Sequence, residues 1–250
     1  MKTIVFHSFA RGVGRSNLAA NLAVLLAARG RAVALVDANL LEPSLHLLFS
    51  LVDEELDHCL NAFLLGQCSM RDAVHDLTPG RSAGDKGHLY LVPATPDVGE
   101  VMRVLRDGYD VDRLNSGLQA LGDELKPDLV LVESHAGLDE QVLNLMAASD
   151  LTAIVLHLDK QDYQGTAVIA EVATRLGVPE VALLVNEVPP QYDLSGVKAE
   201  VADKYQCAVA GVVPYVEEIT ALGSGGLFVL RFPNHPVTAL LAEIAERLAA

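Results

Sequence analysis

Cysteine is scarce in this chain, and long apolar runs are absent. The three cysteines, Cys59, Cys68 and Cys207, are odd in number and are not spaced as metal ligands, so they predict reduced thiols and a cytoplasmic protein. His58 beside Cys59 suggests a metal ligand, but an ordinary helix face explains the pair more simply. The sequence contains no window of 18 uncharged apolar residues, so we expect no membrane span. The N-terminal sequence MKTIVFH lacks the layout of a signal peptide.

Positive charge is also in short supply. The chain has 18 basic and 33 acidic residues, which gives a formal net charge of −15. Such a surface repels phosphate backbones, so non-specific DNA binding lacks its electrostatic driving force. A local basic patch could still form in the fold, but no two basic residues are adjacent in the sequence. We therefore expect no direct DNA binding.

Apolar residues, by contrast, make up 51% of the 250 residues, which is enough to bury one large core. Short β-branched runs alternate with amphipathic stretches over the whole length. The predicted strands are Thr3–His7, Ala32–Asp37, His88–Pro93, Leu129–Glu133, Ala153–His157, Val181–Val185 and Val209–Val213. The predicted helices are Ser16–Arg29, Glu54–Leu65, Met70–Val74, Val111–Leu125, Tyr163–Leu176, Leu194–Tyr205 and Pro236–Leu248. This alternation predicts an α/β fold of three layers, with a mostly parallel twisted sheet and helices on both faces. Pro79–Gly87 predicts a flexible surface excursion and not a domain boundary.

A glycine-rich segment lies between the first predicted strand and the following helix. Gly12 and Gly14 let the backbone approach a phosphate, and the helix that starts near Arg15 adds the positive end of its dipole. Ser16 is placed to hold Mg²⁺ through its hydroxyl. The alternative is a tight strand–helix turn whose glycines serve packing, but the position directly after the first strand favours a phosphate site.

The segment from Ser8 to Asn17 resembles the deviant Walker A loop of the MinD/ParA ATPases, whose usual form is K-G-G-V-G-K-[ST]. Five further segments resemble family motifs and occur in the family's order. Residues 37–39 resemble the family's D-A-D of switch I, residues 133–138 its D-S-P-A-G-L of Walker B and switch II, and residues 211–215 its G-V-I-P-Y turn. Residues 184–186 resemble the strand end whose Asn contacts adenine, and residues 226–236 resemble the stretch before the family's last helix. The resemblance implies a P-loop NTPase fold formed by a single nucleotide-binding domain over residues 1–250. It also implies ATP and Mg²⁺ as cofactors and a nucleotide-dependent homodimer.

The resemblance also implies the residues of the site. The residues expected around the nucleotide are Gly12, Val13, Gly14, Arg15, Ser16, Asn17, Asn186 and Pro214. The residues expected to hold the metal are Ser16, Asp37 and Glu133. Asn186 takes the position of the family's adenine-contacting Asn.

Two basic positions depart from the family pattern. The signature Lys, which reaches across the dimer interface to the partner's nucleotide, aligns with Ala10. The neighbouring Arg11 is a candidate catalytic residue that could act in trans, as an arginine finger does; the alternative is an ordinary surface residue. The loop Lys aligns with Arg15, which keeps the charge and offers a fork suited to phosphate. A standard loop also has Gly at the position of Phe9.

The carboxylates of the site are altered as well. The second Asp of D-A-D aligns with Asn39, which can hold the attacking water but cannot accept its proton, and Glu42 offers a carboxylate three residues later. Asp37 is retained, the Walker B Asp aligns with the longer Glu133, and His135 replaces a residue that is usually Pro. Because losing one positioning contact costs on the order of 10²-fold in rate, this site predicts slow or absent hydrolysis.

Two classes of function remain open. The first is an ATP-binding dimeric switch that hydrolyses ATP slowly and positions or regulates a protein partner or cargo. The second is a pseudo-ATPase that acts as a non-hydrolysing interaction module. A small-molecule kinase or amidoligase is a minor alternative, because no substrate lid or extra domain is visible. The ending at Ala242–Ala250 lacks a basic amphipathic tail for a membrane surface, so the expected partner is another protein.

Overall fold

The computed structural model describes residues 1–52, 55–78 and 87–250. These residues form an eight-stranded sheet with the order β3-β4-β2-β5-β1-β6-β7-β8. The strands are β1 (Lys2–His7), β2 (Ala32–Ala38), β3 (His75–Asp76), β4 (His88–Val92), β5 (Leu129–Ser134), β6 (Leu151–Leu156), β7 (Glu180–Val188) and β8 (Ala208–Pro214). All pairs are parallel except the edge pair of β3 and β4, which is antiparallel.

Helices connect the strands and cover the sheet. They are α1 (Arg15–Ala28), α2 (Leu45–Leu48), α3 (Leu60–Leu64), α4 (Val98–Asp107), α5 (Val111–Leu125), α6 (Glu140–Ala147), α7 (Lys160–Leu176), α8 (Leu194–Tyr205), α9 (Glu217–Leu222), α10 (Phe228–Arg231) and α11 (Pro236–Ala249). Within the described ranges, no helix combines the length and the apolar character that crossing a membrane requires.

The side chains of β1 show how the layers are held together. Ile4 and Phe6 lie in a core with residues of α1, α10 and α11, whereas Val5 lies in the opposite core with residues of α3 and α5. This alternation is the period of two that a strand imposes. The central strands are apolar on both faces, as parallel strands between two helical layers must be. The predicted three-layer α/β fold with a mostly parallel sheet is therefore confirmed.

One predicted helix is wrong. Met70–Val74 forms turns. The carboxylate of Asp72 accepts hydrogen bonds from the backbone N–H (3.0 Å) and hydroxyl (2.6 Å) of Ser69, as in a capping box at a helix start. The strand β3 begins at His75, however, and leaves no length for a helix after this turn. The helix predicted over Glu54–Leu65 is confined to α3 within the described residues. The excursion predicted at Pro79–Gly87 lies, apart from Gly87, outside the described residues.

Candidate functional site

The residues predicted to form the site meet at one edge of the sheet. The glycine-rich loop follows β1, Asp37 and Glu133 lie near the ends of β2 and β5, and Asn186 lies near the end of β7. The carboxyl ends of parallel strands share one edge, which is where ligands bind in open α/β sheets. The fold thus brings together residues that are up to 174 positions apart, from Gly12 to Asn186.

The loop has the backbone geometry of an anion site. Gly12 and Gly14 adopt left-handed φ angles of 75° and 79°, which side chains with a Cβ rarely tolerate. The first backbone hydrogen bond of α1 runs from Leu18 N to the Gly14 carbonyl (2.9 Å). The backbone N–H groups of residues 15–17 therefore have no partner within the helix. Such N–H groups at a helix N-terminus are the donors that bind anions. A groove here is lined by the loop and the start of α1, and also by Ser44.

Asn186 fastens the loop to β7. Its Nδ2 donates a hydrogen bond to the carbonyl of Val13 (2.9 Å). A Cβ placed on Gly14 would lie 2.3 Å from the same Nδ2, so Gly14 is required for the contact as well as for its φ angle. The amide oxygen of Asn186 remains to contact a base, and the contact with adenine stays a prediction.

Phe9 has a packing role. Its ring lies over Gly165 of α7, where an added Cβ would be 1.9 Å from Phe9 Cγ. The aromatic residue at this position therefore fills the space beside a glycine in a neighbouring helix. The departure from the standard loop at Phe9 is compensated by Gly165.

Arg15 is buried and already engaged by protein groups. Its Nη1 donates to the hydroxyl of Ser8, and its Nε lies 3.4 Å from Oε1 of Glu133. The Arg15 side chain is 9% exposed and that of Glu133 is fully buried. Binding of a phosphate by Arg15 stays a prediction, and it requires the guanidinium to share or exchange these partners.

Two buried carboxylates lie side by side below the groove. Asp37 and Glu133 are register partners in the pairing of β2 with β5. Asp37 accepts hydrogen bonds from the backbone amides of Asn39 (3.1 Å), Ser44 (3.2 Å) and Leu45 (3.1 Å). Burial raises the pKa of Asp37 well above its usual range, and the charge of Glu133 adds to the rise. Burial also raises the pKa of Glu133, although Arg15 and the Ser16 hydroxyl oppose that rise.

The donor set suits Mg²⁺. The hydroxyl of Ser16 donates to Glu133 Oε1 (2.5 Å) and accepts from the hydroxyl of Ser44 (2.8 Å). Glu133 Oε2 is buried and has no hydrogen-bond partner among the described residues. The site combines the two carboxylates of Asp37 and Glu133 with the single guanidinium of Arg15. A divalent cation would supply the positive charge that this group of side chains lacks. The described residues contain no cluster of three His, Cys, Asp or Glu suited to a metal, and the binding of Mg²⁺ by Ser16, Asp37 and Glu133 stays a prediction.

Asn39 and Arg11 are both tied to Glu42, in different ways. Asn39 is buried, and its Nδ2 donates to the backbone carbonyl of Glu42 (2.7 Å). Arg11 is 71% exposed and its guanidinium pairs with the Glu42 carboxylate at the surface. The Glu42 carboxylate therefore contacts Arg11 and not Asn39. This geometry does not support the idea that Glu42 supplies the carboxylate that the family has at the position of Asn39. An exposed Arg11 is compatible with both of its predicted roles.

Two histidines flank the loop. His7 is fully buried, its Nδ1 lies 2.7 Å from the Ser134 hydroxyl, and burial and the charge of Arg15 lower its pKa to about 3. His7 is therefore neutral at physiological pH. His135 Nε2 lies 2.8 Å from Asp139 Oδ2; burial lowers the pKa of His135, although Asp139 opposes this shift. Asp139 also caps α6 by accepting from Val142 N (2.9 Å), so His135 has a structural partner.

A second pocket adjoins the groove. It is lined by apolar residues that include Val213, Pro214, Val216 and Leu241, together with Asn186. Pro214 lines the same pocket as Asn186, and its contact with a nucleotide stays a prediction. Sequence reasoning missed Glu187, which lines both the pocket and the groove. Its position directly after Asn186 was the available signal.

Comparison with known proteins identifies the family. Residues 4–228 match the family model of the CobQ/CobB/MinD/ParA nucleotide binding domain. An uncharacterized ATP-binding protein of Methanocaldococcus jannaschii is 27% identical over 240 residues, which are 95% of this chain and 83% of that protein.

Solved structures share the fold. The septum site-determining protein MinD of Pyrococcus horikoshii, complexed with Mg-ADP, is similar with a TM-score of 0.80 and 21% identity, over 99% of this chain and 95% of that one. MinD in the MinC:MinD cell division complex of Aquifex aeolicus is similar with a TM-score of 0.81 and 20% identity, also over 99% and 95% of the two chains.

Proposed function

Because the chain belongs to the CobQ/CobB/MinD/ParA family of nucleotide-binding domains, we propose that it is a nucleotide-dependent dimeric switch. It binds ATP with Mg²⁺, hydrolyses ATP slowly or not at all, and positions or regulates a protein partner. The observation that carries this proposal is the left-handed Gly12–Gly14 turn at the start of α1, directly beside the buried pair of Asp37 and Glu133.

Each part of the nucleotide has a counterpart in the site. The amides at the start of α1 bind the phosphates, and the pocket with Asn186 and Pro214 receives the base. Ser16, Asp37 and Glu133 hold the metal, which supplies positive charge to the phosphates when it is bound. Arg15 binds phosphate from the base of the groove. The Mg-ADP of the Pyrococcus horikoshii MinD supports this choice of cofactors.

Slow hydrolysis follows from the state of the catalytic positions. Phosphoryl transfer depends on positioning and on stabilisation of charge. The amide of Asn39 is bonded to the Glu42 carbonyl and cannot accept a proton from water. Arg15 shares its charge with Glu133 before any phosphate arrives. Both features lower the rate without preventing binding.

A protein partner fits the chain better than nucleic acid does. The net charge of −15 opposes association with a phosphate backbone. The solved complex of MinC with MinD in Aquifex aeolicus shows a protein of similar fold bound to another protein. Arg11 is exposed next to the loop and is free to reach a second copy if its pairing with Glu42 is exchanged.

Sedimentation velocity combined with phosphate release tests the switch. We expect a monomer without nucleotide and with ADP, a dimer with ATP and Mg²⁺, and turnover well below roughly 1 s⁻¹. Arg11→Ala should weaken the dimer, whereas the exposed control Arg103→Ala should not. An ATP-dependent dimer with no detectable turnover would favour the non-hydrolysing module, and a sedimentation profile that ATP leaves unchanged would contradict the switch.

A further inference from the structure

Glu187 stands where the two parts of the proposed nucleotide site meet. The phosphate groove and the apolar base pocket share Glu187, Gly14 and Asn17 in their linings. In any nucleotide the ribose joins the base to the phosphates, so the residues common to both pockets flank the ribose. Glu187 is the charged one of these three.

The backbone of β7 aims Glu187 into the site. Glu187 has a left-handed φ of 53°, which is uncommon for a residue with a side chain. The pairing of β7 with β8 is irregular between Val185 and Val188. In a regular strand, consecutive residues face opposite sides of the sheet, but Asn186 and Glu187 both line the base pocket. The irregularity therefore turns a second polar side chain towards the nucleotide, as strand irregularities beside binding sites often do.

The two carboxylate oxygens of Glu187 have different surroundings. Oε2 lies 3.3 Å from Nε2 of His157, and this contact raises the pKa of His157. Oε1 lies 3.6 Å from the position that a Cβ on Gly14 would take. One oxygen therefore contacts His157, the residue directly after β6, while the other lies beside the loop.

We propose that Glu187 accepts a hydrogen bond from a ribose hydroxyl and makes the site selective for ribonucleotides. A carboxylate beside a phosphate loop repels polyphosphate, and a hydrogen bond from a proton donor of the ligand offsets that repulsion. Next to the phosphates of a nucleotide, the ribose hydroxyls are the donors. A hydroxyl bound to a carboxylate is a charge-assisted hydrogen bond, and its loss corresponds to about tenfold or more in affinity. This inference rests on the proposed nucleotide site.

Calorimetry of ATP, GTP, 2′-deoxy-ATP, 3′-deoxy-ATP and inorganic triphosphate tests this role. In the presence of Mg²⁺, the protein should bind ATP about tenfold more tightly than at least one of the deoxy analogues. Glu187→Ala should bind ATP and that analogue equally well, and Glu187→Gln, which keeps an acceptor without the charge, should lie between. The exposed control Glu200→Ala should keep the preference of the unaltered protein.

The possible results separate the two proposals. If the unaltered protein binds none of these compounds at millimolar concentration, the proposed function fails. If it binds ATP and both deoxy analogues alike, or if Glu187→Ala keeps the preference, the ribose role of Glu187 is wrong while the nucleotide site stands. A loss of the preference in Asn17→Ala but not in Glu187→Ala would assign the hydroxyl to Asn17. A change in the ratio of ATP to GTP affinity, with the ribose preference unchanged, would assign Glu187 to the base.

Discussion

Single side chains decide what this site can do, and Asn39 is the clearest case. Asn39 is buried. Its backbone N–H donates a hydrogen bond to Asp37 Oδ1 (3.1 Å), and its side-chain amide donates one to the backbone carbonyl of Glu42. These contacts hold the segment after β2 in place. Under the proposed function, Asn39 offers an attacking water no anionic partner, because an amide cannot take up its proton.

Asn39→Asp should therefore raise single-turnover hydrolysis by at least about tenfold when ATP and Mg²⁺ are saturating, since a positioned general base typically contributes more than that. The same change adds a third carboxylate near Asp37 and Glu133, so we expect a lower melting temperature without Mg²⁺. Phosphate release measures the first effect and thermal unfolding the second.

Asn39→Ala is the matched control, because it removes the amide without supplying a base. Equal rates for the Asp and Ala variants would show that Asn39 does not limit hydrolysis. A rate of roughly 1 s⁻¹ or more in the unaltered protein would show the same, and Glu133 or His135 would then be the residue to replace.

At the scale of elements, the start of α1 and the end of β5 are joined by a buried ion pair. Two departures from the family pattern, Arg15 and Glu133, are in contact with each other. A buried pair adds little net stability, but removing one partner leaves the other charge uncompensated. We infer that the two substitutions compensate each other structurally.

Arg15→Met should lower the free energy of unfolding by about 3 kcal/mol in the absence of nucleotide and Mg²⁺. Arg15→Met combined with Glu133→Gln should recover most of this loss, because neither charge is then left alone. Urea unfolding of the two single variants and the double variant measures the coupling. The exposed pair of Glu171 and Arg175 on α7 serves as the control cycle and should show little coupling. Additive effects of Arg15→Met and Glu133→Gln would contradict the compensation.

Elements also show how far the sequence predicts the structure. Strands such as β5 were predictable because a buried parallel strand is apolar throughout. Helix α4 was not predicted. Val98, Met102 and Leu105 are exposed, and Val104 is the one buried residue of this helix, so its apolar pattern does not mark a core face. In the structure, Asp97 caps this helix by accepting a hydrogen bond from Glu100 N (3.0 Å).

The site was predictable to the same degree. The family resemblance assigned Asp37 and Glu133 to one metal, and the structure makes them register partners in adjacent strands. The pairing of Arg15 with Glu133, and the turn of Glu187 into the site, depend on side-chain geometry between elements that are distant in the chain. Local patterns carry no information about such contacts, so they emerge only with the three-dimensional structure.

The whole molecule combines a family fold with an acidic surface. The family match ends at residue 228. Helix α11 lies beyond it and packs on α1. Nη1 of Arg29, directly after α1, donates hydrogen bonds to the Ala242 carbonyl (2.6 Å) and to Glu246 Oε1 (3.0 Å) of α11. The helix therefore belongs to the same core. With a net charge of −15, the surface opposes association with a phosphate backbone. The nucleotide site is the feature through which association with a protein partner is proposed to be controlled.

Calorimetric titration with ATP and Mg²⁺ tests the central claim, namely that this loop is a working nucleotide site. We expect saturable binding by the unaltered protein, binding at least about tenfold weaker for Arg15→Ala because a charge-assisted contact is lost, and unchanged binding for the exposed control Arg103→Ala. Circular dichroism verifies that each variant is folded. Absence of binding at millimolar ATP, or equal affinities for the unaltered protein and a folded Arg15→Ala variant, would contradict the account.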